Sequence, residues 1–239
     1  MFQFLIKAKN IFLSIFFPPV CLNCREYIGD ENNLICGKCL SLIKLNTSLF
    51  CPVCRSRLAE NKKICHFNSP YILAAAGDYN DPILRNLILC FKYKNFKNLS
   101  PVLGKIAVDY VNLLNPELKI LKSGTIVAPI PLHSSRQRTR GFNQAELIAS
   151  RLSDDFKLPL ESPLNRTKKT KNQAHLKDNE ERIENIKGCF KAKNIEKIAG
   201  KNVILVDDVF TSGATINEAV KILKENGAKK IIAFVLAKA

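Results

Sequence analysis

One segment narrows the fold more than any other: Val203-Ile204-Leu205-Val206-Asp207-Asp208-Val209-Phe210-Thr211-Ser212-Gly213-Ala214-Thr215. Its apolar run predicts a buried central strand over residues 202–206. Two adjacent acids follow, at the end of the strand where open α/β sheets bind ligands. Then come Thr211, Ser212, Gly213, Ala214 and Thr215, small and hydroxyl-rich, leading into a helix over 215–225. Such a loop brings backbone N–H groups and hydroxyls onto one phosphate at the positive end of the helix dipole. Gly213 lets the backbone approach closely. Asp207 and Asp208 can each accept hydrogen bonds from vicinal sugar hydroxyls. Acids beside an anion cradle are electrostatically awkward unless a sugar or Mg²⁺ lies between them.

The rest of the C-terminal two-thirds alternates in the same way. Strands are expected over 71–77, 125–130 and 231–236, and helices over 81–91, 99–114 and 143–152. Strands alternating with helices argue for a mostly parallel sheet covered on both faces, an α/β fold. The 239 residues suffice for one such domain and a small accessory one. The expected division is an amphipathic helix within 1–19, a cysteine-rich module over 20–70 and the α/β domain over 71–239.

Formal net charge is +16. Acids are absent from three windows, 82–108, 118–145 and 162–177, which hold Lys92, Lys94 and Lys97; Arg136, Arg138 and Arg140; and Arg166, Lys168, Lys169 and Lys171. A field of this kind suits polyanions such as nucleic acid, phosphosugars or anionic lipid. A Lys- and Asn-rich composition accounts for part of the excess. The middle window follows the strand-and-proline run Val127-Ala128-Pro129-Ile130-Pro131. Its arginines are candidates to clamp a pyrophosphate, because guanidinium donates in a bidentate fork; the alternative is a solvated basic loop. His133 and His175 read as hydrogen-bonding loop residues, since neither has a nucleophile to activate.

Seven of the nine cysteines lie between residues 21 and 65. Cys21, Cys24, Cys36 and Cys39 form two Cys-x-x-Cys pairs, the spacing of a tetrahedral zinc site. Without metal, some fifty residues with so little core would hardly fold. Cys51, Cys54 and Cys65 make a second, incomplete set, expected to hold zinc poorly, with His66 the only nearby fourth donor. Sequential and interleaved pairing both fit. Cys90 and Cys189 are expected to be buried thiols. Arg25, Lys38, Arg55, Arg57, Lys62 and Lys63 make the module a possible nucleic-acid binder, though it has few aromatics for stacking. Paired thiolates in a chain with no recognisable signal peptide favour a reducing compartment, hence the cytoplasm. Residues 2–17 are too short and too interrupted by Lys7, Lys9 and Asn10 to span a bilayer, and are expected to pack on the protein's own surface.

The segment 203–215 resembles the signature of type I phosphoribosyltransferases. That resemblance implies that Asp207 and Asp208 hold the ribose hydroxyls of phosphoribosyl pyrophosphate (PRPP), with Mg²⁺, and that Thr211 to Thr215 hold its 5′-phosphate. It also casts 127–131 as the start of the pyrophosphate loop, where a cis peptide is common in relatives. Hypoxanthine-type salvage enzymes carry an acid where Thr211 stands, so hypoxanthine–guanine salvage is disfavoured.

Arg166, Thr170, Gln173, Leu176, Arg182, Asn185 and Phe190 follow in an order similar to that of the ComF family, the competence-associated proteins that include the GntX type. Tyr79, Arg85, Phe91-Lys92-Tyr93 and the cysteine module extend the resemblance over nearly the whole chain. It implies a protein handling single-stranded DNA in natural transformation, together with competence proteins, with structural zinc and a PRPP or ribose 5-phosphate site to which Lys92, Arg136 and Arg140 contribute. Two other functions fit the same residues: a true phosphoribosyltransferase of unknown acceptor, and a regulator that senses PRPP without chemistry.

Overall fold

The computed structural model describes residues 18–29, 33–58, 65–66, 68–94, 96–114, 124–171 and 178–239. The N-terminal apolar stretch, His175 and Gln173 lie outside them.

Four strands form one parallel sheet: β1 (Ile72–Asp78), β2 (Thr125–Pro129), β5 (Asn202–Phe210) and β6 (Ile231–Lys238), in the order β1-β6-β5-β2. All are rich in Val, Ile, Leu and Ala and buried along most of their length, as a sheet covered on both faces requires. Alternate residues serve opposite faces. On one, Ala74, Ala76, Val127, Ile204, Val206, Ile232 and Phe234 join the core under α2 (Pro82–Tyr93), α3 (Ser100–Leu114) and α5 (Gln144–Phe156). On the other, Leu73, Ala75, Ile126, Ala128, Val203, Leu205, Ala233 and Val235 pack with α7 (Ala214–Glu225) and with the antiparallel hairpin β3 (Leu164–Arg166) and β4 (Phe190–Ala192). Between the hairpin strands lies α6 (Asn179–Ile186).

Local chemistry fixes the helix that reaches the site. The Asp81 carboxylate accepts from the N–H groups of Ile83 and Leu84 at 2.9 and 3.0 Å, and Pro82 occupies the first turn. A side chain at Gly77 would stand 2.5 Å from Leu84 Cδ2, so β1 and α2 approach as closely as they do only because glycine is there. The apolar face Leu84, Leu87, Ile88 and Phe91 is buried, and Lys92 leaves the last turn toward the end of β5.

The cysteine-rich module, which holds the short helix α1 (Gly37–Ser41), lies along the free edge of β1. Phe50 and Leu73 exchange backbone hydrogen bonds of 2.8 and 3.0 Å, and Asn46 N–H donates to the Ala76 carbonyl. Tyr110 of α3 donates to the Ser48 carbonyl and Asn86 of α2 to that of Leu22. At the opposite edge, Val127 of β2 is bridged by Pro159 and Glu161. Both edges of the sheet are therefore occupied at those positions, which removes the open ladder that invites unwanted pairing.

Candidate functional site

β5 runs four residues beyond the expected end at Val206, so the two acids lie inside a strand. Asp207 pairs in register with Val235 of β6, and pairing continues to Phe210 and Lys238. β2 has already ended, its last pair being Pro129 with Val206. Past that point β5 loses its neighbour on one side, and a cleft opens there. The extended backbone sends the two carboxylates to opposite faces.

Asp208 is 8% exposed and meets Lys92 Nζ at 2.7 Å. Burial works against the lysine's charge, but Asp208 and then Asp207 outweigh it and raise its pKa. Burial, and then the charge of Asp208, push Asp207 up to about 7. Its Oδ1 accepts from the Asp208 N–H at 2.9 Å. One acid is thus neutralised by a lysine and its neighbour is poised between protonation states.

The hydroxyl loop follows directly. Gly213 has φ 80°, and a Cβ there would lie 2.8 Å from the Phe210 ring, so this turn needs glycine. Thr211, Ser212, Gly213, Ala214 and Thr215 line a small concavity with Asp207, at the N-terminus of the twelve-residue α7. Ala214 N–H reaches Ser212 Oγ at 3.4 Å. The loop stands at the positive end of the α7 dipole, where backbone N–H groups favour negative charge.

The arginines come from a helix, not a loop. α4 (Ser134–Arg140) is capped by His133, whose Nδ1 accepts from Ser135 N–H at 3.2 Å, and ends at Gly141 with φ 74°. Helical spacing puts Arg136 and Arg140 on one face and turns Arg138 to solvent. Arg136 donates to the carbonyls of Thr170 and Lys171 at 2.8 and 2.7 Å, tying the segment after β3 to α4. Arg140 donates to Gln144 Oε1 at 3.2 Å and stacks on Tyr93, 5.3 Å from the ring centre. No cis peptide occurs among the described residues, so the run at Pro129–Pro131 is trans.

One cleft of about 180 Å³ brings these parts together: Lys92, Arg136, Arg140, Asp207, Asp208, Thr211 and Thr215 all line it. Arg166 and Arg182 line it as well, and sequence reasoning gave neither a site role, although the family order had singled both out. Arg166 is 7% exposed, stacks on Phe190 and donates to Thr170 Oγ1 at 2.6 Å, while its buried Nε has no partner. Burial lowers the pKa of both Arg136 and Arg166, and for Arg136 the neighbouring Arg166 and Arg140 add to the effect. A larger hollow of about 360 Å³ adjoins it, lined by Lys92, Tyr93, Ser135, Arg136, Thr139, Arg140 and Lys169.

The cysteines form two sequential clusters, with no interleaving. Cys21, Cys24, Cys36 and Cys39 bring their sulfurs within 4.8 Å of one another, and so do the donor atoms of Cys51, Cys54, Cys65 and His66. His66 Nδ1 is 3.5 Å from Cys51 Sγ and 3.4 Å from Cys65 Sγ, so it completes the second set. Thiols this close cannot all ionise without a cation: the neighbouring Cys54 and Cys51 sulfurs push Cys65 up to about 11. Both donor sets suit tetrahedral zinc, which would take up the thiolate charge and close each ribbon. Cys90 and Cys189 are buried, at 2% and 0% exposure.

Comparison with known proteins agrees with both halves. Residues 138–239 match the phosphoribosyl transferase domain family, and residues 12–67 match the double zinc ribbon domain family. "Competence protein F" of Haemophilus influenzae is 32% identical over 231 residues, covering 94% of this chain and 99% of that protein. The chain belongs to the ComF family. Its other relatives include "Competence protein ComFC" of Bacillus subtilis, 28% identical over 246 residues (91% of this chain, 94% of that one), and "DNA utilization protein YhgH" of Salmonella typhimurium, 27% identical over 220 residues (90% and 94%). Among solved structures, that of an allosteric regulatory enzyme of purine biosynthesis matches at 20% identity with a TM-score of 0.34, over 56% of this chain; the chain spans 25% of that one. This ComF chain carries a type I phosphoribosyltransferase domain with an N-terminal double zinc ribbon. Among the described residues, no helix is long and apolar enough to cross a membrane.

Proposed function

We propose that this ComF protein binds PRPP or ribose 5-phosphate, with Mg²⁺, and handles single-stranded DNA in natural transformation. One observation carries the ligand reading: an acid pair, a hydroxyl loop at a helix N-terminus and two arginines on one helix face meet in a single cleft. In this reading Thr211, Ser212, Gly213, Ala214 and Thr215 hold the 5′-phosphate, and Asp207 and Asp208 accept the ribose hydroxyls. Arg136 and Arg140 take the pyrophosphate. Mg²⁺ would neutralise the pyrophosphate oxygens that the acids otherwise repel. The ribbon occupies residues 20–70 and the phosphoribosyltransferase-like unit 71–239, in the cytoplasm, where thiolates stay reduced.

Among the described residues lining the cleft, the only carboxylates are Asp207 and Asp208, so the cleft offers no acid of the kind that works on the purine ring in hypoxanthine-type enzymes, while binding alone and transfer to another acceptor both fit these residues. The DNA role rests on what the relatives' names say of those proteins and on the basic rim of the cleft.

Calorimetry of PRPP with and without Mg²⁺ tests the ligand. Asp207→Asn with Asp208→Asn should abolish binding while circular dichroism stays unchanged. Equal affinity in the folded double variant would remove the assignment. Pyrophosphate release in the presence of a panel of bases would favour the enzyme reading.

A further inference from the structure

The two zinc knuckles are built alike, thirty residues apart. Cys21, Cys24 and Arg25 correspond to Cys51, Cys54 and Arg55. In each, the arginine N–H donates to the carbonyl of the first cysteine, at 3.0 Å for Arg25 and 2.8 Å for Arg55. In each, the arginine backbone is left-handed, with φ 65° and 61°. Glycine takes that conformation freely and a side chain with Cβ does not, so an arginine there is held against its local preference.

At the second knuckle the arginine side chain has a destination. Arg55 Nη2 donates to the Thr211 carbonyl at 2.7 Å, and Nη1 donates to the Ala239 carbonyl at 3.1 Å. The guanidinium also lies 5.7 Å from the centre of the Phe210 ring. That ring is the surface on which Gly213 rests. Ala239 N–H in turn donates to the Phe210 carbonyl at 2.9 Å. Arg55 therefore grips the hydroxyl loop at its first residue and at the aromatic floor beneath its glycine.

We propose that Arg55 is a positioning residue for the phosphate loop, making the second zinc knuckle part of the phosphoribose site. The inference rests on reading residues 211–215 as the phosphate cradle. A trans peptide holds its C=O and N–H on opposite sides. With the Thr211 carbonyl drawn to the ribbon, the Ser212 N–H of the same peptide faces away from it, free to donate to a bound anion. The guanidinium adds positive charge behind a loop that must hold a phosphate next to two acids. It touches no ligand itself; it acts through Thr211 and Phe210.

Arg55→Gly is the informative variant, because glycine suits the left-handed backbone and so preserves the knuckle. Zinc content should match that of the unaltered protein. Hydrogen exchange at the amides of Asn217 and Ala239, which donate to the carbonyls of Gly213 and Phe210 at 2.8 and 2.9 Å, should speed up roughly tenfold, with no change over β2. Affinity for ribose 5-phosphate should fall about three- to tenfold, the loss expected of a charge-assisted hydrogen bond acting at one remove. Affinity for inorganic pyrophosphate should hold within about twofold, because the arginines of α4 are untouched; general loosening of the fold would move both ligands. Arg55→Lys, which can still reach one carbonyl, should recover part of the ribose 5-phosphate affinity. Unchanged exchange at Asn217 and Ala239 in Arg55→Gly overturns the proposal. So does equal loss of ribose 5-phosphate and pyrophosphate. If the unaltered protein binds neither probe, the phosphate reading of the loop fails instead, and the exchange measurement still decides whether Arg55 holds the loop.

Discussion

Lys92 Nζ sits 2.7 Å from Asp208, and both side chains are largely out of water, at 16% and 12% exposure. Replacing the lysine leaves a buried carboxylate without its counter-charge. Lys92→Met should therefore cost about 1–3 kcal/mol of stability, less than a fully buried pair because solvent still reaches the cleft. Urea denaturation gives the number. Asp207 behaves in the opposite sense. Its carboxyl, raised from the ordinary 3.8 to about 7, keeps a proton in the folded state that the unfolded chain has lost. Between about pH 4 and 7 the folded state binds more protons, so stability falls as pH rises through that window. Asp207→Asn removes the penalty: it should stabilise the ligand-free protein by about 1–3 kcal/mol at pH 8 and hardly at all at pH 4. A pH-independent effect would show that Asp207 titrates normally. At this scale the sequence was highly legible, since the acid pair and the hydroxyl loop are contiguous residues whose chemistry needs no tertiary partner. Lys92 was legible as basic and near a motif, but its ion pair with Asp208 joins residues 116 positions apart and only folding reveals it.

The elements that were hardest to foresee are those whose stability is not written in an apolar stripe. α4 reads Ser-Ser-Arg-Gln-Arg-Thr-Arg and buries none of its residues. With no 3.6-residue hydrophobic period there was nothing to mark a helix. Its start is set by the His133 side chain and its end by Gly141, and its fixed faces convert three arginines in a row of seven residues into two that face the cleft and one that does not. β5 outran its expected end because Asp207 and Asp208 look like loop residues locally; the ladder with β6 overrides that preference. The second zinc cluster also differs from its outline in sequence. His66 stands among the three thiols, so purified protein should carry two zinc ions per chain, where sequence alone suggested a weak second site. Cys54, Cys65 and His66 are exposed, whereas Cys21 and Cys39 are buried. A chelator titration should therefore remove zinc from the second cluster first, and His66→Ala should reduce the metal count to about one while leaving the first cluster filled. Metal analysis showing two tightly held ions in His66→Ala would exclude His66 as a ligand.

Across the whole molecule, the bases of the three acid-free windows do not all gather in one place. Lys92, Arg136, Arg140, Arg166 and Lys169 line the cleft or the hollow beside it. Lys94, Lys97, Lys168 and Lys171 are exposed outside those linings. The first group suits a compact polyphosphate; the second is open to solvent and to a longer anion. Single-stranded DNA crossing both should show affinity that falls steeply with salt, with a slope of about −0.7 for each phosphate neutralised. Replacing Lys168, Lys169 and Lys171 together should reduce that slope by about two and weaken all sequences alike, because phosphate contacts position a strand without reading it. Only Lys169 of the three lines the hollow, so the triple variant should bind ribose 5-phosphate nearly as well as the unaltered protein does. Saturating PRPP should compete with DNA, since a strand entering the hollow meets Arg136 and Arg140, which also line the cleft. Labelled oligonucleotides titrated at several salt concentrations, with and without PRPP, separate these cases. Binding no tighter than that of an unrelated protein of equal charge would leave the positive field serving the phosphosugar alone. Binding that PRPP does not displace would put the DNA on the exposed lysines, away from the cleft.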